Sequence, residues 1–242
     1  MSLEQVRKEL APTGVLRAAI NMGNALLVTG RAPNGDPTGV SPSMAAAIAE
    51  RLGVPVQYLQ YAKPSEIADD GGTGKWDIGN IGAEPQRAAK IFFTAAYCEI
   101  EATYLVPPGS PIKTIAEVDK PGVRIVVNKG AAYDLWLERN IKQASIVHPQ
   151  PKDKVFSTFM DEKMEAYAGL RPALLTDVTK YAGSRILEGN FTTVQQAVGT
   201  AKPNVAASKF LADFVEEAKR SGLVAKFIEQ HKVKGLSVAK PA

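Results

Sequence analysis

Short apolar runs alternate with helical stripes along almost the whole chain, and the alternation stops once and then restarts. An order of strand, helix, strand, helix has few solutions. Each helix must carry the chain back so that the next strand lies parallel to the last. In the first block, residues 15–21 read as a strand ending in the polar cluster Asn21, Gly23 and Asn24. Ser41-Pro42 opens a helix as an N-cap serine followed by proline. Its apolar stripe is Met44, Ile48 and Leu52, and Gly53 closes it. Residues 54–61 alternate as a second strand, 64–70 form a short helix, and 76–81 form a third strand. A further strand at 101–106 runs into Pro107-Pro108-Gly109-Ser110-Pro111, where the organisation breaks.

The second block repeats the order, with strands at 124–128, 145–148 and 166–170 and helices at 132–140, 155–163 and 172–182. Residues 192–199 read as a strand leading back, followed by helices at 206–221 and 223–231. The expected fold is α/β with two lobes, each a mostly parallel sheet flanked by helices. Residues 1–98 and 193–242 form lobe 1. Residues 99–192 form an inserted lobe 2, joined by a two-strand hinge, with a ligand cleft between the lobes. In such sheets ligands bind beyond the carboxyl ends of the strands.

Composition narrows the class of function. The 242 residues leave room for one large domain or two of ordinary size. A net charge of +4, scattered along the chain, is too small to point to nucleic acid. The basic tail (Lys226, Lys232, Lys234, Lys240) reads as a solvated end. The single cysteine, Cys98, excludes an internal disulfide and a cysteine-based zinc site. No apolar run approaches the length of a membrane span. Residues 1–8 hold no hydrophobic signal core, so the expectation is that a leader is absent or already removed, with a cytoplasmic location left open.

The richest stretch is 75–87. It reads as a buried strand, a turn relieved by Gly79 and Gly82, and a helix that begins near Pro85 with Arg87 in its first turn. Free N–H groups, a positive dipole end and a guanidinium would together receive a carboxylate or phosphate. The same residues also fit an ordinary strand-to-helix corner with a surface arginine. Catalytic patterns are missing. There is no Gly-x-Ser-x-Gly elbow, and the only histidines, His148 and His231, form no i, i+4 metal pair. Gly72-Thr73-Gly74-Lys75 lacks a phosphate loop's upstream glycine (Asp69 stands there) and its following Ser/Thr (Trp76 stands there). The pairs Asp69/Asp70, Asp161/Glu162 and Glu216/Glu217 read as solvated helix faces. No cofactor or metal is implied, and binding is favoured over turnover.

Several segments in their order resemble one family. They are Val15-Leu16-Arg17-Ala18-Ala19-Ile20-Asn21, then Gly39 with a helix ending Leu52-Gly53-Val54-Pro55, then Trp76-Asp77-Ile78-Gly79 leading to Arg87 and Phe93-Thr94-Ala95-Ala96-Tyr97. Val123 to Asp134 and Leu211 to Leu223 continue the match. Together they resemble the amino-acid-type (family 3) periplasmic solute-binding proteins of bacterial ABC importers. The resemblance covers nearly the whole chain from about residue 13. It implies a two-lobed type II periplasmic-binding-protein fold, hinge closure on a small ligand, a periplasmic location, a monomer, and delivery to a membrane permease.

Carried over by position, Arg87 matches the arginine that pairs with the ligand carboxylate, and Asn80 and Gly82 match strand-end contacts. Ala131 and Ala132 match the second-lobe turn that gives N–H groups to the same carboxylate. Asn21 and Asn24 match first-lobe positions, and Tyr61 falls near the aromatic wall. Glu84 is a weaker contact candidate. The departures concern the ligand amine. The aspartate that binds the α-ammonium aligns with Leu170, the Ser/Thr before the arginine is Gly82, and the first-lobe acid is Asn21. A buried ammonium without a counter-charge costs several kcal/mol. The expectation is therefore a small carboxylate, organic or aromatic, without an α-amino group. It would lie against Leu170, Tyr61 and Tyr133, with Arg171 able to reach a second acidic group. The alternatives are an amino-acid-binding protein of the same family and a cyclohexadienyl-dehydratase-like enzyme on the same fold, for which Glu84 or Glu99 would be the acid/base.

Overall fold

The computed structural model describes residues 2–151 and 154–242. In chain order the elements are α1 (Leu3–Leu10), β1 (Leu16–Asn21), the short pair β2 (Gly30–Arg31) and β3 (Pro37–Thr38), and α2 (Val40–Leu52). There follow β4 (Val56–Tyr61), α3 (Pro64–Asp69), β5 (Ile78–Gly82), β6 (Ile91–Phe93) and β7 (Cys98–Val106). Next are β8 (Arg124–Val127), α4 (Ala132–Asn140), β9 (Ser145–Val147), α5 (Val155–Asp161), β10 (Ala166–Leu170), α6 (Arg171–Asp177) and β11 (Arg185–Ile186). The chain ends with β12 (Thr192–Ala201), α7 (Val205–Arg220), α8 (Leu223–Gln230) and β13 (Ser237–Val238). No helix among the described residues is long and apolar enough to cross a membrane. Two compact units divide the chain: Met1–Glu99 with Gln195–Ala242, and Ile100–Val194.

In the first unit the order is β4-β1-β5-β12. The first three strands are parallel, and β12 returns antiparallel to β5, pairing Val198 with Asn80. Ala19, Ile67, Trp76, Ile81 and Ile91 fill one face of this sheet. The sequence placed the start of α2 two residues late. Its N-cap is Gly39, at φ 145°, and Ser41 lies inside the first turn, buried. Gly39 is needed because a Cβ there would fall 2.3 Å from the Leu27 carbonyl oxygen. Gly79 lies inside β5, not at a turn, and its missing side chain serves packing: a Cβ would sit 3.1 Å from Ile67 Cγ2 and 3.3 Å from the Trp76 ring.

In the second unit the order is β7-β10-β8-β9, with β7 antiparallel to β10 and the remainder parallel. Strand alternation sorts its core onto two faces. Tyr104, Ile125, Val127, Ala166, Ala168 and Leu137 pack on one side. Leu105, Val126, Phe159 and Leu174 pack on the other. Helix α6 starts at Arg171 and gives way after Asp177 to a 3-10 turn, Val178–Lys180, so it is shorter than its stripe suggested.

Cys98 is fully buried, and burial, with Glu99 adding to it, raises its thiol well above the ordinary value. The folded protein is therefore expected to leave Cys98 unlabelled by a thiol reagent over hours, while the guanidinium-unfolded chain labels in seconds. Rapid labelling in native buffer would contradict a sealed core at this strand.

Candidate functional site

The carboxyl ends of β1, β4 and β5 lie side by side, because Asn21 pairs with Tyr61 and Ile20 with Asn80. This edge carries the first-unit candidates. The expected helix at Pro85 is not there: a single 3-10 turn, Arg87–Ala89, follows β5. A dipole-backed anion site at this point is thereby withdrawn, since one 3-10 turn aligns too few peptide dipoles. Arg87 is also no surface arginine. It is 5% exposed, and its Nη1 donates to the Gly82 carbonyl oxygen at 2.7 Å. Burial pulls the guanidinium pKa down to about 10, with the Glu84 carboxylate acting in the opposite direction. A desolvated cation held by a strand-end carbonyl is set up to gain from an anionic partner.

The other first-unit candidates differ in how far their own polar groups are engaged. Asn80 is 1% exposed, and its Nδ2 donates to the Ser41 carbonyl oxygen at 2.9 Å. That bond fixes the amide orientation, so Oδ1 is presented as a pure acceptor, and it has no donor in hydrogen-bond geometry among the described residues. Tyr97, to which no role was assigned from sequence, is fully buried close to Ser41, and burial raises its hydroxyl well above the ordinary range. Asn21 Oδ1 accepts from the Gly23 N–H and Asn24 Oδ1 from the Leu26 N–H, so both side chains shape the loop after β1. Tyr61 donates its hydroxyl to Asp70 Oδ2 at 3.0 Å, and burial followed by this bond pushes it up to about 12. Asp70 also pairs with Lys75, so it is not the solvated acid expected of it.

In the second unit, the turn after β8 is largely occupied with itself. The Gly130 N–H donates to Asp134 Oδ2 at 2.8 Å and the Ala131 N–H to the Asn128 carbonyl oxygen at 3.3 Å. Ala131 is the N-cap residue of α4 and Ala132 its first member. Tyr133 packs against the unit's core, where burial and then Asp134 raise its hydroxyl. Leu170 ends β10 and precedes α6. Arg171 is engaged within its own unit, with Nε donating to Glu101 Oε2 at 2.5 Å and Nη2 to the Gly189 carbonyl oxygen. Reaching a second ligand acid would require breaking both bonds.

Two ion pairs escaped the sequence reading. Arg17 gives its own N–H and two guanidinium N–H groups to Asp77 at 2.7–3.0 Å. Arg124 does the same to Glu165 at 2.8–2.9 Å. Each clamps two adjacent parallel strands of its unit. The signal was present in both blocks: an arginine opening one strand, and an acid just before its neighbour, in Trp76-Asp77-Ile78 and Met164-Glu165-Ala166.

Residues 19–234 match the bacterial extracellular solute-binding proteins, family 3, and the chain belongs to that family. Among curated proteins it is similar to a cyclohexadienyl dehydratase of Pseudomonas aeruginosa, 29% identical over 161 residues. That match spans 63% of this chain and 58% of the relative's length. Among solved structures it resembles the solute receptor for L-cysteine of Neisseria gonorrhoeae, with a TM-score of 0.75, 19% identity and coverage of 99% and 100%. It also resembles the ancestral amino-acid-binding protein AncCDT-1, a precursor of cyclohexadienyl dehydratase, with a TM-score of 0.72, 21% identity and coverage of 97% and 100%. At these identities the structural likeness establishes the type II periplasmic-binding-protein fold.

Proposed function

We propose that this chain is the solute-binding component of a bacterial ABC importer, acting outside the cytoplasmic membrane on a small carboxylate without an α-amino group. The observation that carries the carboxylate is Arg87, a buried guanidinium at a strand end, depressed by desolvation. Leu170 carries the missing amine. It supplies no charge where the family resemblance puts the ammonium-binding aspartate, and the neighbouring-strand acid Glu101 is held by Arg171. An ammonium placed there would lose several kcal/mol of hydration without recompense. Calorimetric titration with ordinary L-amino acids against their deaminated analogues tests the reading. The analogues are expected to bind at least about tenfold tighter, which is about 1.4 kcal/mol. Tight binding of an ordinary α-amino acid would sink the amine-free class.

The second reading is an enzyme, favoured by the likeness to the P. aeruginosa dehydratase. Glu84 is then the group to watch, since its charge already acts on Arg87. Incubation with prephenate or arogenate separates the two: turnover that is lost in Glu84→Gln establishes the enzyme, and no turnover leaves the binding protein.

A further inference from the structure

Beside the turn that carries Ala131, Ala132 and Tyr133, and using none of those three, the second unit gathers three metal-ligating side chains. Asp134 and Glu138 stand four apart on α4 and so share one face of it. His148 follows β9 and meets them, its Nε2 lying 2.7 Å from Asp134 Oδ1. One donor atom from each of the three falls within 4.8 Å of the others. The Asp134 side chain is fully buried, His148 is partly buried, and Glu138 is exposed.

A simple aspartate–histidine pair explains two of these residues and leaves the third unexplained. Glu138 is exposed and able to extend into solvent, yet it brings a carboxylate oxygen within 4.8 Å of donor atoms of both Asp134 and His148, a like-charge approach that a bound cation would favour. The donor set is also the one a first-row transition ion prefers, an imidazole with two carboxylates. The outer support is in place as well: Asp134 Oδ2, the oxygen turned away from His148, accepts the Gly130 N–H at 2.8 Å. A ligating carboxylate is ordinarily held by such a bond.

We infer that Asp134, Glu138 and His148 form a three-ligand site for a zinc-like divalent ion, with water as the fourth ligand. Zinc sits about 2.0–2.2 Å from nitrogen and carboxylate oxygen, so tetrahedral ligands lie roughly 3.3 Å apart. The Asp134–His148 distance of 2.7 Å must therefore open slightly, the imidazole ligating through Nε2 with its N–H carried on Nδ1. Glu138, being exposed, swings in to close the site. The bound ion would tie α4 to the end of β9 and hold the Gly130 turn through Asp134. None of this depends on which solute the protein carries.

The experiment uses the untagged protein of 242 residues, stripped with chelator and dialysed. Histidines number only two and the one cysteine is buried, so assignment is simple. Cobalt(II) is the probe for visible d–d absorption, and zinc the probe for calorimetry, with calcium and magnesium as hard-ion controls. One equivalent of cobalt is expected to give tetrahedral bands and one equivalent of zinc to bind. Glu138→Gln and His148→Asn should each weaken zinc by about tenfold or more. His231→Asn, which alters the histidine beside Ser43, should leave it unchanged. Glu138 is exposed, so its variant should keep the melting temperature in chelator and separate ligand loss from misfolding. The inference is overturned if cobalt gives no bands and zinc no heat, if binding is equal in His148→Asn, or if calcium binds as tightly as zinc.

Discussion

Arg87→Met is expected to weaken binding of the tightest carboxylate found by titration by about 30-fold or more, because truncating one partner of a buried, hydrogen-bonded charge pair costs about 2–5 kcal/mol. The ligand-free protein should still fold, since losing the bond to the Gly82 carbonyl, about 1–3 kcal/mol, is offset in part by removing a desolvated charge. Arg87 is 5% exposed, and methionine fills a similar volume without a charge to desolvate. That combination separates a binding role from a structural one. If the variant binds normally, Arg87 is a structural cation of the β5 end, and the carboxylate assignment falls with it. If the variant fails to fold, its bond to the Gly82 carbonyl is structural.

The same group sets a pH limit. In the ligand-free protein desolvation lowers the Arg87 guanidinium to about 10, and a bound carboxylate would raise it again. A group whose pKa rises on binding contributes fully below the free value and is lost as pH climbs through the bound one. Affinity should therefore be level through neutral pH and begin to fall only near pH 10. A fall centred near neutrality would point to a different titrating group.

The fold was legible because its signals were local. The stripe Met44, Ile48, Leu52 and the αL closure at Gly53 are properties of one helix, and α2 ends at Leu52. Strand β10 runs from Ala166 to Leu170, as its short apolar run indicates. The departures came from tertiary effects. Ser41-Pro42 looks like a helix start, but the tight passage of Leu27 against Gly39 places it two residues earlier. Pro85 looks like a first helical residue, but the chain must turn at once into β6, which pairs with the far end of β12. At the candidate site, residue type was readable and engagement was not. Nothing near Arg171 in sequence announces Glu101, seventy positions earlier, and nothing near His148 announces Asp134.

The two strand clamps give the largest expected change in stability, and they are not expected to count equally. Asp77→Ala should cost about 3–5 kcal/mol, the usual penalty for removing one partner of a buried pair. Glu165→Ala should cost about 1 kcal/mol or less, as for solvent-screened pairs. The chemistry is the same in both: one carboxylate taking a strand N–H and two guanidinium N–H groups. What differs is water. The Asp77 side chain is 3% exposed beside Arg17 at 22%, whereas Glu165 and Arg124 are 35% and 41% exposed. Loss of Asp77 therefore strands a guanidinium at the β1–β5 seam, while loss of Glu165 leaves one that water can reach. The Arg124 guanidinium holds Glu165 below the usual carboxylate range, so its contribution is present at neutral pH and fades as pH falls through that lowered pKa. Urea melts of both variants beside the parent decide the matter. Since a whole domain is stable by only about 5–15 kcal/mol, the Asp77 loss should be plain in the first unit's transition. Equal costs would mean that hydrogen-bond count, and not burial, sets the strength of these clamps.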